Sequence, residues 1–121
     1  MKKEQLIVLG AASALLLGTA IALAQDAAKL QPDRNKVLFE NDRVRVLEVK
    51  TPTGGKLEMH SHPAHLVYFL ESATTKMTTK DGKESVLEGK KGEVRWVDPV
   101  TDTVDNTGKT DVHAIVVELK K

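Results

Sequence analysis

Three of the chain's four histidines, His60, His62 and His65, stand within six residues of one another, ahead of the apolar run Leu66 to Leu70. Imidazole carries protons near neutral pH and ligates transition metals, so the cluster points to metal coordination or proton transfer. Along a strand, side chains two residues apart share a face, about 6.5 to 7 Å from each other. His60 and His62 can therefore direct two ring nitrogens at one ion, each at about 2.0 to 2.1 Å. Such a site needs a further donor. His65 is one candidate, although Pro63 disturbs the alternation that would otherwise fix its face. His113 alternates with Ile115, Val117 and Leu119, the more apolar side of its segment, where a lone histidine is more often a packed or rim residue than a ligand.

Other residue types narrow the chemistry. The chain has no cysteine, which removes thiolate ligands, disulfides and a lipid-modified cysteine. It has no glycine-rich phosphate loop. Ser61, Ser72 and Ser85, the only serines beyond residue 24, lack a nucleophile-elbow setting. Met59 and Met77 read as core fillers, and Asp98 and Asp105 as solvated side chains. Trp96, between Val94 and Val97, is expected to face the barrel wall or its cavity, while Tyr68 and Phe69 take opposite faces of one strand.

The amino end reads as a secretory signal peptide over residues 1–24. Lys2 and Lys3 precede an apolar stretch from Leu6 to Ala24, and Ala22-Leu23-Ala24 forms a small-x-small cleavage site. Cleavage after Ala24 implies a periplasmic or secreted product with no membrane attachment. Lys2, Lys3 and Glu4 leave with the leader, taking 18 basic side chains to 16 and 17 acidic ones to 16. That neutral balance gives no sign of nucleic-acid or anionic-membrane binding. Without disulfides, the remaining chain depends on its core, a metal or self-association.

Residues 25–36 are polar and contain Pro32-Asp33, the pattern of an extended arm. Beyond them, short β-rich runs recur at 43–50, 56–62, 65–70, 76–80, 84–88, 93–97, 101–106 and 111–119, separated by turn residues. Asp81-Gly82 between two such runs predicts a two-residue type I′ hairpin. No segment after Lys36 has helical period. The pattern predicts an all-β domain over 37–121, of about eight short antiparallel strands closed into a barrel or sandwich.

Residues 37 to 119 resemble a small single-domain cupin, a jelly-roll β-barrel. Gly54, His60 and His62 match its first motif, a glycine, five residues, then His-x-His; Gly92, Pro99 and Asn106 match its second in outline. The resemblance implies a divalent transition metal, Fe, Mn, Zn, Ni or Cu, held by three histidines and a glutamate. Leu66 and Val67 stand where that glutamate is expected. Asp102 or Thr103, depending on the direction of counting, stands where the last histidine is expected. Asp102 fits the motif register best as a replacement ligand, and His65 shares parity with Val67. Two histidines and one carboxylate would leave positions open for a substrate; Asp102 would otherwise cap its local turn.

Three functions follow. The first is an exported cupin that binds a metal through His60 and His62, with Asp102 or His65, together with a small polar molecule, and is an enzyme if the ion activates that molecule. The second is a metal-free cupin serving as a small-molecule binding or interaction module. The third is a metal buffer using His60, His62 and His65 at the surface. The resemblance also implies a homodimer.

Overall fold

Alternation of inward and outward side chains builds nine strands: β1 (Asn35–Glu40), β2 (Val44–Thr51), β3 (Lys56–His62), β4 (His65–Phe69), β5 (Ala73–Thr79), β6 (Glu84–Gly89), β7 (Val94–Val97), β8 (Val100–Asn106) and β9 (Val112–Leu119). The computed structural model describes residues 26–120; the leader read at 1–24 lies outside them. All pairings between named strands are antiparallel. One sheet runs β1-β2-β9-β4-β7 and the other β3-β8-β5-β6. This is the jelly roll that the spacing of the short runs predicts, with β1 as an additional strand.

Aliphatic side chains from both inner faces fill the space between the sheets, including Leu47, Val49, Leu57, Val67, Val112 and Val116, with Phe69 as the single buried aromatic. Gly89 on β6 lies directly beneath the Phe69 ring, where any Cβ would overlap it.

The segment read as an extended arm is folded from Asp26 onward. Asp26 caps a single helical turn, α1 (Ala27–Leu30), by accepting from the Ala28 amide at 2.9 Å. Ala27 is buried, Gln31 Oε1 accepts from the Glu58 amide, and the Arg34 guanidinium donates to Lys56 O. The turn thus joins β1 to β3, the edges of the two sheets. It escapes sequence reading because one turn is too short to show a period.

Three further differences are local. The β5–β6 turn is three residues, Lys80-Asp81-Gly82, because Gly82 N donates to Thr79 O and only Gly82 takes positive φ, +86°. That is a type I turn followed by a left-handed residue, whereas type I′ needs two residues with positive φ. Trp96 faces outward and is 53% exposed: it pairs with Leu66, while His65 and Val67 hold the inward register of β4. On β9 the buried set is Val112, Ala114, Val116 and Glu118, so the more apolar set that includes His113 faces out.

Candidate functional site

A tight turn sets the first strand of the site. In Pro52-Thr53-Gly54-Gly55, Gly55 N donates to Pro52 O at 2.8 Å and Gly54 takes φ +76°, a conformation that favours glycine. Gly92 does the same before β7, with φ +87° and Glu93 N donating to Lys90 O. From the first turn, β3 carries His60 and His62 onto the inner face, where both are buried. His65 opens β4 and is buried as well. Asp102, paired with His60 across β3 and β8, joins them from the neighbouring strand. All four side chains line one cavity of about 90 Å³.

The ring contacts are close. His60 and His62 centroids are 4.8 Å apart at 88°, and His62 and His65 centroids 4.8 Å apart at 44°. In each ring Nδ1 is committed: His60 Nδ1–H donates to Glu58 O at 2.6 Å, His65 Nδ1–H to Pro63 O at 2.7 Å and His62 Nδ1–H to Glu118 Oε2 at 2.5 Å. These acceptors have no proton to give, so Nδ1 holds the hydrogen, and in the neutral ring the lone pair is then on Nε2. Burial drives His60 down to about 4 and lowers His65. Burial also pushes the Asp102 carboxyl up to about 6. At neutral pH the 4.0 Å approach of His60 Nε2 to Asp102 Oδ1 therefore sets a neutral imidazole against a carboxylate, and is no ion pair.

Glu118, Arg45 and Asp26 form the support of this cluster, and sequence reading overlooked all three. Glu118, 2% exposed, holds His62 with one oxygen and accepts from Arg45 Nε with the other at 2.6 Å. Arg45 in turn reaches both oxygens of Asp26, at 2.6 and 3.1 Å. Burial works against the Glu118 charge, but the bonds to His62 and Arg45 together hold its carboxyl below the ordinary range. Burial likewise opposes the Arg45 charge, and its two carboxylate partners raise it in compensation. The signal available in the sequence was that Arg45 and Glu118 are the charged members of otherwise apolar or small alternating sets, Arg45/Leu47/Val49/Thr51 and Val112/Ala114/Val116/Glu118.

His113 stands apart from the site. Its Nε2 meets Glu48 Oε2 at 2.7 Å on the outer face. Asn106, by contrast, is a structural post: it donates to Thr51 O and Thr110 O and accepts from Gly108 N.

The donor set is one that a borderline divalent cation takes, namely three imidazole Nε2 lone pairs and one carboxylate with their second ring nitrogens secured. Among the described residues no three such groups already stand close enough to hold an ion. The chemistry of the donors fits a transition metal, and their side-chain placement is that of an open cluster.

No family model matches the chain, and no curated protein matches its sequence. Solved structures do match in shape. A cupin domain from Bordetella pertussis Tohama I shares 24% identity with a TM-score of 0.65, over 72% of this chain and 92% of that one. An RmlC-like cupin family protein with a double-stranded β-helix fold, from Methanocaldococcus jannaschii, shares 15% identity with a TM-score of 0.57, over 71% of this chain and 78% of that one. A cupin superfamily protein from Desulfitobacterium hafniense DCB-2 shares 15% identity with a TM-score of 0.53, over 72% and 76%. At these identities the likeness is one of fold: this chain has the cupin jelly roll.

Proposed function

We propose that this cupin-fold protein binds a divalent transition-metal ion through Nε2 of His60, His62 and His65, with Asp102 as a carboxylate donor, and presents it to a small polar molecule in the barrel. The observation that carries this reading is the set of three Nδ1 bonds, which leave each ring in the tautomer whose lone pair is on Nε2. A bound ion would act as a Lewis acid toward an oxygen of that molecule. The protein's own share is to fix ring tautomers through Glu58 O, Pro63 O and Glu118, to keep His60 and His65 unprotonated by burial, and to exclude water with the aliphatic wall. The leader pattern at residues 1–24 supports export, so the metal would be acquired outside the cytoplasm.

Elemental analysis of protein purified without chelator tests the reading, repeated on His62→Ala and Asp102→Ala. Stoichiometric metal in the wild type that is lost in His62→Ala supports it. Absence of metal in the wild type overturns it in favour of a metal-free small-molecule module, the reading to which the open placement of the donors corresponds. Retention in Asp102→Ala would leave the three histidines as the ligand set.

A further inference from the structure

The cavity has a second polar end. Asn35 and Thr51 line the same cavity as the histidines and are 1% and 2% exposed. Asn35 Oδ1 and Thr51 Oγ1 are the buried side-chain atoms among the described residues that have no hydrogen-bond partner. Native interiors rarely leave such atoms unpaired, and bulk water has no access to these two.

The orientation of Asn35 is fixed by its surroundings. Its Nδ2 donates to Ala27 O at 3.3 Å and Gln31 O at 3.1 Å, so turning the amide over would set an oxygen against two carbonyls. Oδ1 is thereby kept off the helix as a free acceptor. The neighbouring polar groups are already committed: Asn106 makes three bonds, and Thr75 Oγ1 donates to Leu87 O. What remains is one acceptor and one hydroxyl two pairing positions apart, since Asn35 pairs with Val49 and Thr51 follows Val49 on the same face.

Register gives the distance from the histidines. Asn35 stands level with Val49 and Ala114, whereas His65 pairs with Glu118, four residues further along β9 and about 13 Å of strand. Between the two ends the wall is apolar, with Val49, Val67, Phe69, Ala114 and Val116. Among the described residues Asp102 is the only carboxylate lining the cavity, and it lies at the histidine end, so a cation at the far end would be buried without a counter-charge. The cavity of about 90 Å³ is apolar between its two polar ends, which suits a short aliphatic chain.

We propose that Asn35 and Thr51 form a subsite for a neutral hydroxyl, and that the ligand of this cavity is a short aliphatic molecule with an oxygen-donor head toward the histidines and a hydroxyl at its tail. The head assignment rests on the metal-binding reading above; the tail assignment does not.

Gamma-hydroxybutyrate and butyrate, which differ only by the tail hydroxyl, serve as probes in an NMR titration of the purified protein. The hydroxylated probe is expected to bind about tenfold more tightly to the wild type and to Thr51→Ser, a preference that falls to near one in Thr51→Val. In the ligand-free protein, Thr51→Val removes an unpartnered hydroxyl at constant shape and is expected to raise Tm by about 4 °C. A preference near one in the wild type, failure of both probes to bind, or a preference that survives Thr51→Val overturns the subsite. A lower Tm in Thr51→Val also overturns it, by showing that a buried water alone satisfies the hydroxyl. Metal content of the same preparation separates the two proposals: metal with no hydroxyl preference overturns only the subsite, and preference without metal overturns only the metal.

Discussion

His62 Nδ1 and Glu118 Oε2 lie 2.5 Å apart, a contact that ties the third strand of the barrel to the ninth across the two sheets. Glu118 is itself held by Arg45, and Arg45 by Asp26, so a carboxylate, a guanidinium and a second carboxylate stand in line behind one imidazole. Each buried charge in that line has a partner of opposite sign, which is the condition for leaving it inside.

Replacing Glu118 by Gln breaks the line at its centre. Arg45 would then lose one partner and His62 its charged acceptor. We expect Glu118→Gln to lower unfolding free energy by about 2–4 kcal/mol, measured by urea denaturation. On the metal-binding reading, affinity for Zn²⁺ falls by about 10- to 100-fold in the same variant. Unchanged stability would show that the buried contacts are not formed in solution.

The buried titratable groups predict a pH dependence in chelated protein. His60 at about 4 and the lowered His65 have shed protons in the folded chain that the unfolded chain still binds up to about 6.5, so stability rises as pH climbs from 4 to 6.5. Asp102 acts oppositely. Raised from 3.8 to about 6, it keeps a proton in the folded state that the unfolded state has lost, and its contribution falls over that interval. Asp102→Asn is therefore expected to steepen the rise, measured by urea denaturation at pH steps between 4 and 6.5. An identical slope would show that Asp102 does not titrate there. Glu118, whose folded-state carboxyl is held low, stabilises the fold above the ordinary carboxylate range, and this share is lost as pH falls through its depressed value.

Gly89 is the floor under Phe69, so Gly89→Ala forces the ring or the strand to move. We expect a loss of about 1–3 kcal/mol in thermal denaturation, partly restored by the smaller ring-free side chain in Gly89→Ala/Phe69→Leu. A neutral Gly89→Ala would mean that the ring has another resting place.

Trp96, the only tryptophan, is half-exposed on the outer sheet face, with Nε1–H donating to Asp98 Oδ1 at 2.9 Å. Its emission is expected to be quenched readily by acrylamide and to stay unchanged when the cavity is loaded. A large change on loading would place it against the ligand.

Much of the fold is legible in the sequence. Period-two alternation and the Gly54 and Gly92 turns mark strands and their boundaries, and His-x-His puts His60 and His62 on one face because the strand repeat is two. The outward placement of Trp96 and of the apolar set that includes His113 escapes sequence reading for a common reason. Both faces of β7 and β9 carry apolar residues, so alternation shows that the faces differ without showing which is inside. The inward register is set by the partner strand, through pairs such as His65 with Glu118 and Leu66 with Trp96.

The sequence alone determined the all-β class, the near-neutral charge, the absence of thiol chemistry and the histidine pair, since these depend on composition and on contacts a few residues apart. Tertiary structure decided the support of the pair. A buried glutamate is tolerable only where an arginine and a histidine from distant strands meet it, and Arg45, His62 and Glu118 come together only when β2, β3 and β9 close the barrel. The same closure brought His65 and Asp102 beside them and left Asn35 and Thr51 unpaired at the other end, because both outcomes depend on which strands face each other across the core.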